Sequence, residues 1–238
     1  FIKDGQIIVN VAKGIEDVTY KTLSDIIEEE IPNAEVCVLS GPSHAEEVGR
    51  GIPTTVVVGA KNKETAEMLQ DVFMNKVFRV YTSSDIVGIE LGGALKNVIA
   101  LAAGTVDGLG YGDNTKAALI TRGLAEMVRY GMKKGGKLET YMGLTGVGDL
   151  IVTCSSVHSR NFQAGVEIGK TNDAREFMKN NKKTCEGIRT CKVIYEDAKK
   201  YDDIELPIIN AIYNVLYNNH EPKREIQQLM KRELKIEW

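Results

Sequence analysis

Gly88-Ile-Glu-Leu-Gly-Gly-Ala-Leu-Lys-Asn-Val-Ile-Ala-Leu-Ala-Ala-Gly104 is the stretch from which the rest of the chain is best read. Val87, Leu91, Ala94, Leu95, Val98, Leu101 and Ala102 recur at three- and four-residue steps, which predicts a helix with a buried face. Lys96 sits near its middle and off that face. At helical spacing its neighbours are Gly92, Gly93 and Ala100, a trough of small side chains where a ligand or another backbone can come close. No acid stands three or four residues away to pair with it. An unpaired lysine in partly apolar surroundings loses hydration of its charged form, so its pKa is expected to fall toward values useful for proton transfer. A lysine that snorkels to solvent from a packed helix has the same spacing. The rest of the chain has to choose between the two.

Ahead of this stretch, strands and helices alternate. Gln6 to Ala12, Glu35 to Leu39, Thr54 to Gly59 and Lys76 to Tyr81 read as strands, with helices over Thr19 to Glu30 and Glu64 to Phe73. Ser43 followed by Glu46 reads as a capping box that starts another helix. From Asp85 the spacing is helical throughout: the Lys96 helix, then Asn114 to Tyr130, Val147 to Cys154, Arg160 to Lys170, Glu186 to Lys200, Pro207 to Asn218 and Lys223 to Ile236. Glycine clusters at Gly104 to Gly112 and Gly131 to Gly148 punctuate them. The expected fold is therefore α/β, a sheet wound with helices over residues 1–84, followed by an all-α domain over residues 85–238.

The 238 residues, 43% of them hydrophobic, suffice for a substantial core in one large or two small domains. A net charge of −3 shows no bias toward nucleic acid or an anionic membrane. No apolar run approaches the ~20 residues of a membrane span, and no signal peptide is visible. Four cysteines (Cys37, Cys154, Cys185, Cys191) and three histidines (His44, His158, His220) are scattered without CxxC or HExxH spacing. No structural metal or disulfide framework is expected, and a reducing cytoplasm is the expected compartment.

In doubly wound sheets ligands sit at the carboxyl ends of strands, where Lys13-Gly14 and Gly41-Pro42-Ser43 both fall. Glycine there lets backbone amides approach a ligand. A strand-terminating charge, a turn and a helix cap explain the same residues without one. Ser159 reads as an N-cap, which places Arg160 and Asn161 in the first turn of the next helix. A cation is unfavourable beside the positive end of a helix dipole. A bound phosphate would resolve that conflict by accepting from the helix N-terminus and the guanidinium together, and a solvated arginine is the plainer alternative. Asp149, after Gly146-Val-Gly148, is either a cap or a hydrogen-bond partner of a substrate hydroxyl or of Lys96. Neither Gly108-Leu-Gly110-Tyr-Gly112 nor Gly146-Val-Gly148 follows a strand, so neither qualifies as a dinucleotide fingerprint. His44 is an acid/base candidate at the crevice or simply exposed in a first helical turn.

Together these features resemble a known family. VAKGIE (Val11 to Glu16), LSGPSHAEEV (Leu39 to Val48), ELGGALKNVIALAAG (Glu90 to Gly104), NTKAALITRGLAEM (Asn114 to Met127), GVGDLIVTCSSVHSRN (Gly146 to Asn161) and CEGIRT (Cys185 to Thr190) are similar to bacterial-type NAD(P)-dependent glycerol-3-phosphate dehydrogenases. The resemblance implies a Rossmann-type sheet followed by a helical substrate-binding and dimerisation domain. It also implies hydride transfer between NAD(P)H and dihydroxyacetone phosphate, giving sn-glycerol 3-phosphate for phospholipid synthesis. By its place in GALKN, Lys96 is implied as the general acid/base. The substrate contacts fall on Lys13, Gly41, Ser43, Lys96, Asp149, Ser159, Arg160 and Asn161, and the cofactor contacts on Lys13, Ala45, Arg160, Thr184 and Glu186. Thr184 departs from the apolar residue usual there. NAD or NADP is the implied cofactor and a homodimer the expected assembly, with no metal, nucleic acid or membrane span.

The family begins with a βαβ unit carrying a glycine-rich fingerprint, and none is present in this chain, which opens on Phe1. Roughly 60 to 100 residues are expected to be missing ahead of it, from the length of two βαβ crossovers. On that ground the chain by itself is expected to be inactive and the complete protein a dehydrogenase. Two other readings compete. One is another dehydrogenase of this build, of 6-phosphogluconate or hydroxyacyl-CoA type, which the anion site at Ser159-Arg160-Asn161 disfavours for a thioester. The other is a noncatalytic helical scaffold in which Lys96 lines an interface.

Overall fold

The computed structural model describes residues 2–181, 184–234 and 236. Four strands, β1 (Ile7–Asn10), β2 (Glu35–Ser40), β3 (Thr54–Gly59) and β4 (Phe78–Ser83), form a sheet in the order β1-β2-β3-β4. Helices α1 (Leu23–Glu30), α2 (Ala45–Val48) and α3 (Lys63–Phe73) connect them. Among the described residues only helices then follow, without further strands: α4 (Ile86–Gly108), α5 (Asp113–Lys133), α6 (Leu138–Met142), α7 (Asp149–Ser155), α8 (Arg160–Thr171), α9 (Arg175–Asn180), α10 (Glu186–Ala198), α11 (Pro207–Tyr217) and α12 (Pro222–Met230). A π-helical turn over Leu144–Gly148 runs directly into α7.

The sheet is mixed. β1 pairs with β2 and β3 with β4 in parallel, each pair joined through a helix, whereas β2 and β3 are antiparallel. A parallel return needs a crossover element long enough to span the sheet. The four residues of α2 are too few, so the chain reverses instead.

Local chemistry moved several boundaries. The expected helix from Thr19 begins only at Leu23. The Glu16 carboxylate takes the N–H groups of Val18 and Thr19 into a turn, and Thr22 then caps α1 in a capping box with Asp25. The capping box expected at Ser43 and Glu46 does not form. Ser43 Oγ donates to the Gly41 carbonyl at 3.1 Å, and His44 occupies the cap position without a side-chain bond. Gly41 turns the chain there with φ 137°, and a Cβ on it would stand 3.0 Å from Val56 Cα, so only glycine fits. α6 and α9 are additional to the expected helices, and α6 falls within the glycine-punctuated stretch. The last helix stops at Met230, short of the expected Ile236, and residue 235 of that expectation lies outside the described residues.

α4 joins two cores. Its first turns, with Ile86 and Ile89, pack on Val38 and Val57 of the sheet. Its remainder, with Leu95, Val98, Ile99 and Leu101, forms the middle of the helical core with Met127, Tyr130, Leu150 and Ile194. The helix is thus buried on all sides rather than along one face, and Lys96 is enclosed with the rest. By length and composition alone α4 passes for a membrane span, because Glu90 and Lys96 barely lower its average hydropathy, but 89% of that window is buried inside the protein, as in a core helix.

The tightest packing is between α4 and α8. Gly104 and Gly108 face Gly165 and Gly169, and a Cβ on any of the four would collide with backbone of the opposite helix. Small residues four apart on both helices let the two backbones touch. That crossing brings the start of α8, with Ser159 and Arg160, beside Lys96.

Candidate active site

Lys96 is 5% exposed and Asp149, the first residue of α7, is 2% exposed. Lys96 Nζ donates to Asp149 Oδ1 in a buried ion pair and to Thr153 Oγ1 at 2.8 Å. The lysine without an acid at helical spacing therefore has a partner from another helix, Asp149, one of the two roles the sequence left open for that carboxylate. Thr153 is four residues after Asp149 and so lies on the same face of α7; that spacing was a readable signal for a third member of the group. Its hydroxyl in turn donates a hydrogen bond to the Asp149 carbonyl oxygen at 2.5 Å.

Lys13, just past β1, reaches the other carboxylate oxygen, Asp149 Oδ2, at 2.9 Å. One carboxylate thus holds two ammonium groups, the outer one partly exposed and the inner one closed off from water. Burial pushes the Lys96 pKa down, the positive charge of Lys13 pushes it further, and Asp149 only partly opposes them; the result is about 7 instead of 10.5. The predicted direction holds, with desolvation as its main cause. The trough of small residues has a structural use as well: a Cβ at Gly92 would stand 2.8 Å from the Thr145 carbonyl oxygen, and one at Gly93 lies over Ser40 Oγ and Lys13.

Ser159 caps α8, its Oγ accepting from Phe162 N at 3.2 Å. Arg160 in the first turn is exposed and donates to Glu186 Oε1 at 2.7 Å. A carboxylate from α10 therefore supplies the anion whose absence made this arginine anomalous. Asn161 is buried between the same elements: its Oδ1 accepts from Gly187 N at 2.9 Å, and its Nδ2 faces Glu186 Oε2 at 3.4 Å.

Lys13, Lys96, Thr153, Ser159, Arg160, Asn161 and Glu186 line one cavity of about 360 Å³, joined by Asn97, His44 and His158. Asp149 lies behind it, beneath the two lysines. Gly41, Ser43, Ala45 and Thr184 are not among the lining residues: Gly41 is buried in the turn leading to His44, while Ser43, Ala45 and Thr184 are exposed. A larger hollow of about 630 Å³ between α8 and α9 meets this cavity at Arg160. Among the described residues no buried ion pair lines it, whereas the smaller cavity has the Lys96–Asp149 pair at its wall. A lysine with a depressed pKa facing a cavity that ends in an arginine and a capped helix can exchange a proton with an oxygen while an anionic group is held some way off.

Residues 1–66 and 85–227 match the family descriptions "NAD-dependent glycerol-3-phosphate dehydrogenase N-terminus" and "NAD-dependent glycerol-3-phosphate dehydrogenase C-terminus". The chain is 58% identical over 237 residues to a glycerol-3-phosphate dehydrogenase [NAD(P)+] of Agathobacter rectalis, covering 100% of this chain and 70% of that protein. It is 57% identical over 238 residues to one of Fusobacterium nucleatum, covering 99% of this chain and 71% of that protein. The crystal structure of a glycerol-3-phosphate dehydrogenase from Coxiella burnetii superposes with a TM-score of 0.88 at 35% identity, over 94% of this chain and 68% of that one. The cavity that gathers Lys13, Lys96 and Arg160 is therefore set in a chain that belongs to the NAD-dependent glycerol-3-phosphate dehydrogenase family.

Proposed function

We propose that the protein is an NAD(P)-dependent glycerol-3-phosphate dehydrogenase that interconverts dihydroxyacetone phosphate and sn-glycerol 3-phosphate, and that Lys96 is its general acid/base. The single observation that carries the assignment to Lys96 is its burial against Asp149 and Thr153 at the wall of a cavity that also contains Arg160. In ketone reduction the Lys96 ammonium gives a proton to the carbonyl oxygen; in alcohol oxidation the neutral amine removes the hydroxyl proton. A pKa of about 7 leaves both forms populated near neutrality, as a reversible proton transfer requires. Asp149 and Thr153 orient the amine, and Lys13 keeps its pKa from rising. Ser159, Arg160 and Asn161 hold the substrate phosphate through the α8 N-terminus and the guanidinium, with Gly41 and Ser43 contributing from the loop after β2.

The nicotinamide of NAD(P), when bound, supplies or receives the hydride. The residues at the cavity mouth fit that end of a dinucleotide: Arg160 and Glu186 are partly exposed, one a fork of donors and the other a carboxylate able to accept an amide N–H. Ala45, Lys13 and Thr184 complete the proposed contacts. β1 is followed by Lys13-Gly14 rather than by a glycine-rich cradle, and we assign residues 1–84 to the C-terminal part of the dinucleotide domain and residues 85–238 to the substrate domain. We place the protein in the cytoplasm as a homodimer that supplies sn-glycerol 3-phosphate to phospholipid synthesis. The test is NAD(P)H oxidation driven by dihydroxyacetone phosphate, compared between the protein and Lys96→Met. Equal turnover by both would refute the role of Lys96, and turnover with 6-phosphogluconate or a hydroxyacyl-CoA instead would refute the substrate.

A further inference from the structure

The cavity contains two side chains that the proposed function leaves without a role. His44 projects from the loop after β2 and His158 from the loop between α7 and α8, and both line the cavity that holds Lys96 and Arg160. Their ring centroids stand 6.0 Å apart at a tilt of 57°. His44 Nε2 is closed off from solvent and has no hydrogen-bond partner among the described residues. An unpaired buried donor or acceptor is costly, so such an atom calls for a group from outside the chain.

Charge indicates which group. Every cation lining the cavity is already engaged: Lys13 and Lys96 share Asp149, and Arg160 is paired with Glu186. A phosphate monoester brings about −1.5 to −2 charges at neutral pH and three acceptor oxygens. The cavity's cations, reduced by those two carboxylates and by the depressed basicity of Lys96, do not balance such a ligand by themselves. Imidazole N–H groups are suited to make up the difference, because each donates to a phosphate oxygen when neutral and adds charge when protonated.

We propose that His44, with His158 facing it, is a specificity-determining contact for the phosphate of the substrate. The inference rests on the function proposed above and adds to it: the pair selects phosphorylated over unphosphorylated three-carbon substrates, and Lys96 does the proton chemistry.

The chain carries histidine only at positions 44, 158 and 220, so His44→Phe and His158→Phe assign every imidazole signal in an NMR spectrum. His220 is held by Glu225 at 2.6 Å, outside the cavity lining, and serves as the internal control. Titration with sn-glycerol 3-phosphate should shift the His44 and His158 signals and leave His220 unmoved, and titration with glycerol should shift none. By calorimetry, His44→Phe should weaken sn-glycerol 3-phosphate about tenfold while His44→Gln, which keeps a donor, recovers part of the loss. If the phosphorylated ligand binds while the His44 and His158 signals stay put, or if a folded His44→Phe binds it as tightly as the parent, this inference is overturned and the proposed function stands. If the unchanged chain binds no sn-glycerol 3-phosphate at all, the proposed function fails and this inference with it. Should His44→Phe fail to fold, the spectra of the unchanged chain decide.

Discussion

Lys96 and Asp149 stand 53 residues apart in the chain and meet as a buried ion pair whose carboxylate also holds Lys13. Breaking a buried pair by removing one partner leaves an uncompensated charge, but here each lysine has the other as a substitute on Asp149. The arrangement therefore tolerates loss of the inner amine better than an isolated pair would, which makes the role of Lys96 open to direct test.

Lys96→Met should lower kcat by about 100-fold or more while Lys13 continues to pair with Asp149, so the fold persists. Steady-state kinetics together with a thermal melt check this. A collapse of the melt with no change in kcat per folded molecule would show that the lysine is structural.

The pH dependence follows from the depressed pKa of Lys96, about 7. Ketone reduction uses the ammonium and should fall as pH rises above that value; alcohol oxidation uses the free amine and should rise through it. Lys13→Met removes a positive charge that disfavours the Lys96 ammonium, so the midpoint of both profiles should move up. Profiles of kcat in the two directions for parent and variant read the displacement, and a midpoint that moves down would contradict the coupling.

Glu126 offers a test of stability against pH. Its carboxyl is buried in α5 and accepts from Ile208 N at 2.7 Å and Ile209 N at 3.1 Å, the otherwise unpaired donors at the start of α11. Burial nonetheless raises its pKa from 4.5 to about 7. The folded state then holds a proton that the unfolded state releases, so this group's contribution is fully present below about 4.5 and is lost as pH rises toward 7. The loss should approach ~1.4 kcal/mol per pH unit within that window. Urea unfolding at several pH values, with Glu126→Gln flattening the slope, measures it.

The α4–α8 crossing has no room for side chains. Gly165→Val should destabilise the protein by about 3 kcal/mol or more, since backbone rather than a flexible side chain opposes the new atoms. Because the same crossing positions the start of α8, affinity for sn-glycerol 3-phosphate should fall in whatever fraction stays folded. A shift in urea midpoint reports the first effect and calorimetry the second.

Several elements were legible from residues alone. The β-branched run Thr54–Gly59 matched its strand to the residue, the Ser159 cap placed the start of α8 correctly, and the change from strands to helices after Ser83 followed from apolar spacing. These signals act between residues two to four apart, so the sequence by itself determines them. For Asp149 and His44 the sequence left two roles open, and only tertiary structure chose the pairing with Lys96 and the entry into the cavity; the reversal between β2 and β3 and the anion that Glu186 offers Arg160 were decided by tertiary structure alone. Each joins segments far apart in the chain, as Lys13 and Asp149 do across 136 positions. The lowered basicity of Lys96 depends on the exclusion of water, which arises from how α4, α7 and the sheet pack and belongs to no local stretch of residues.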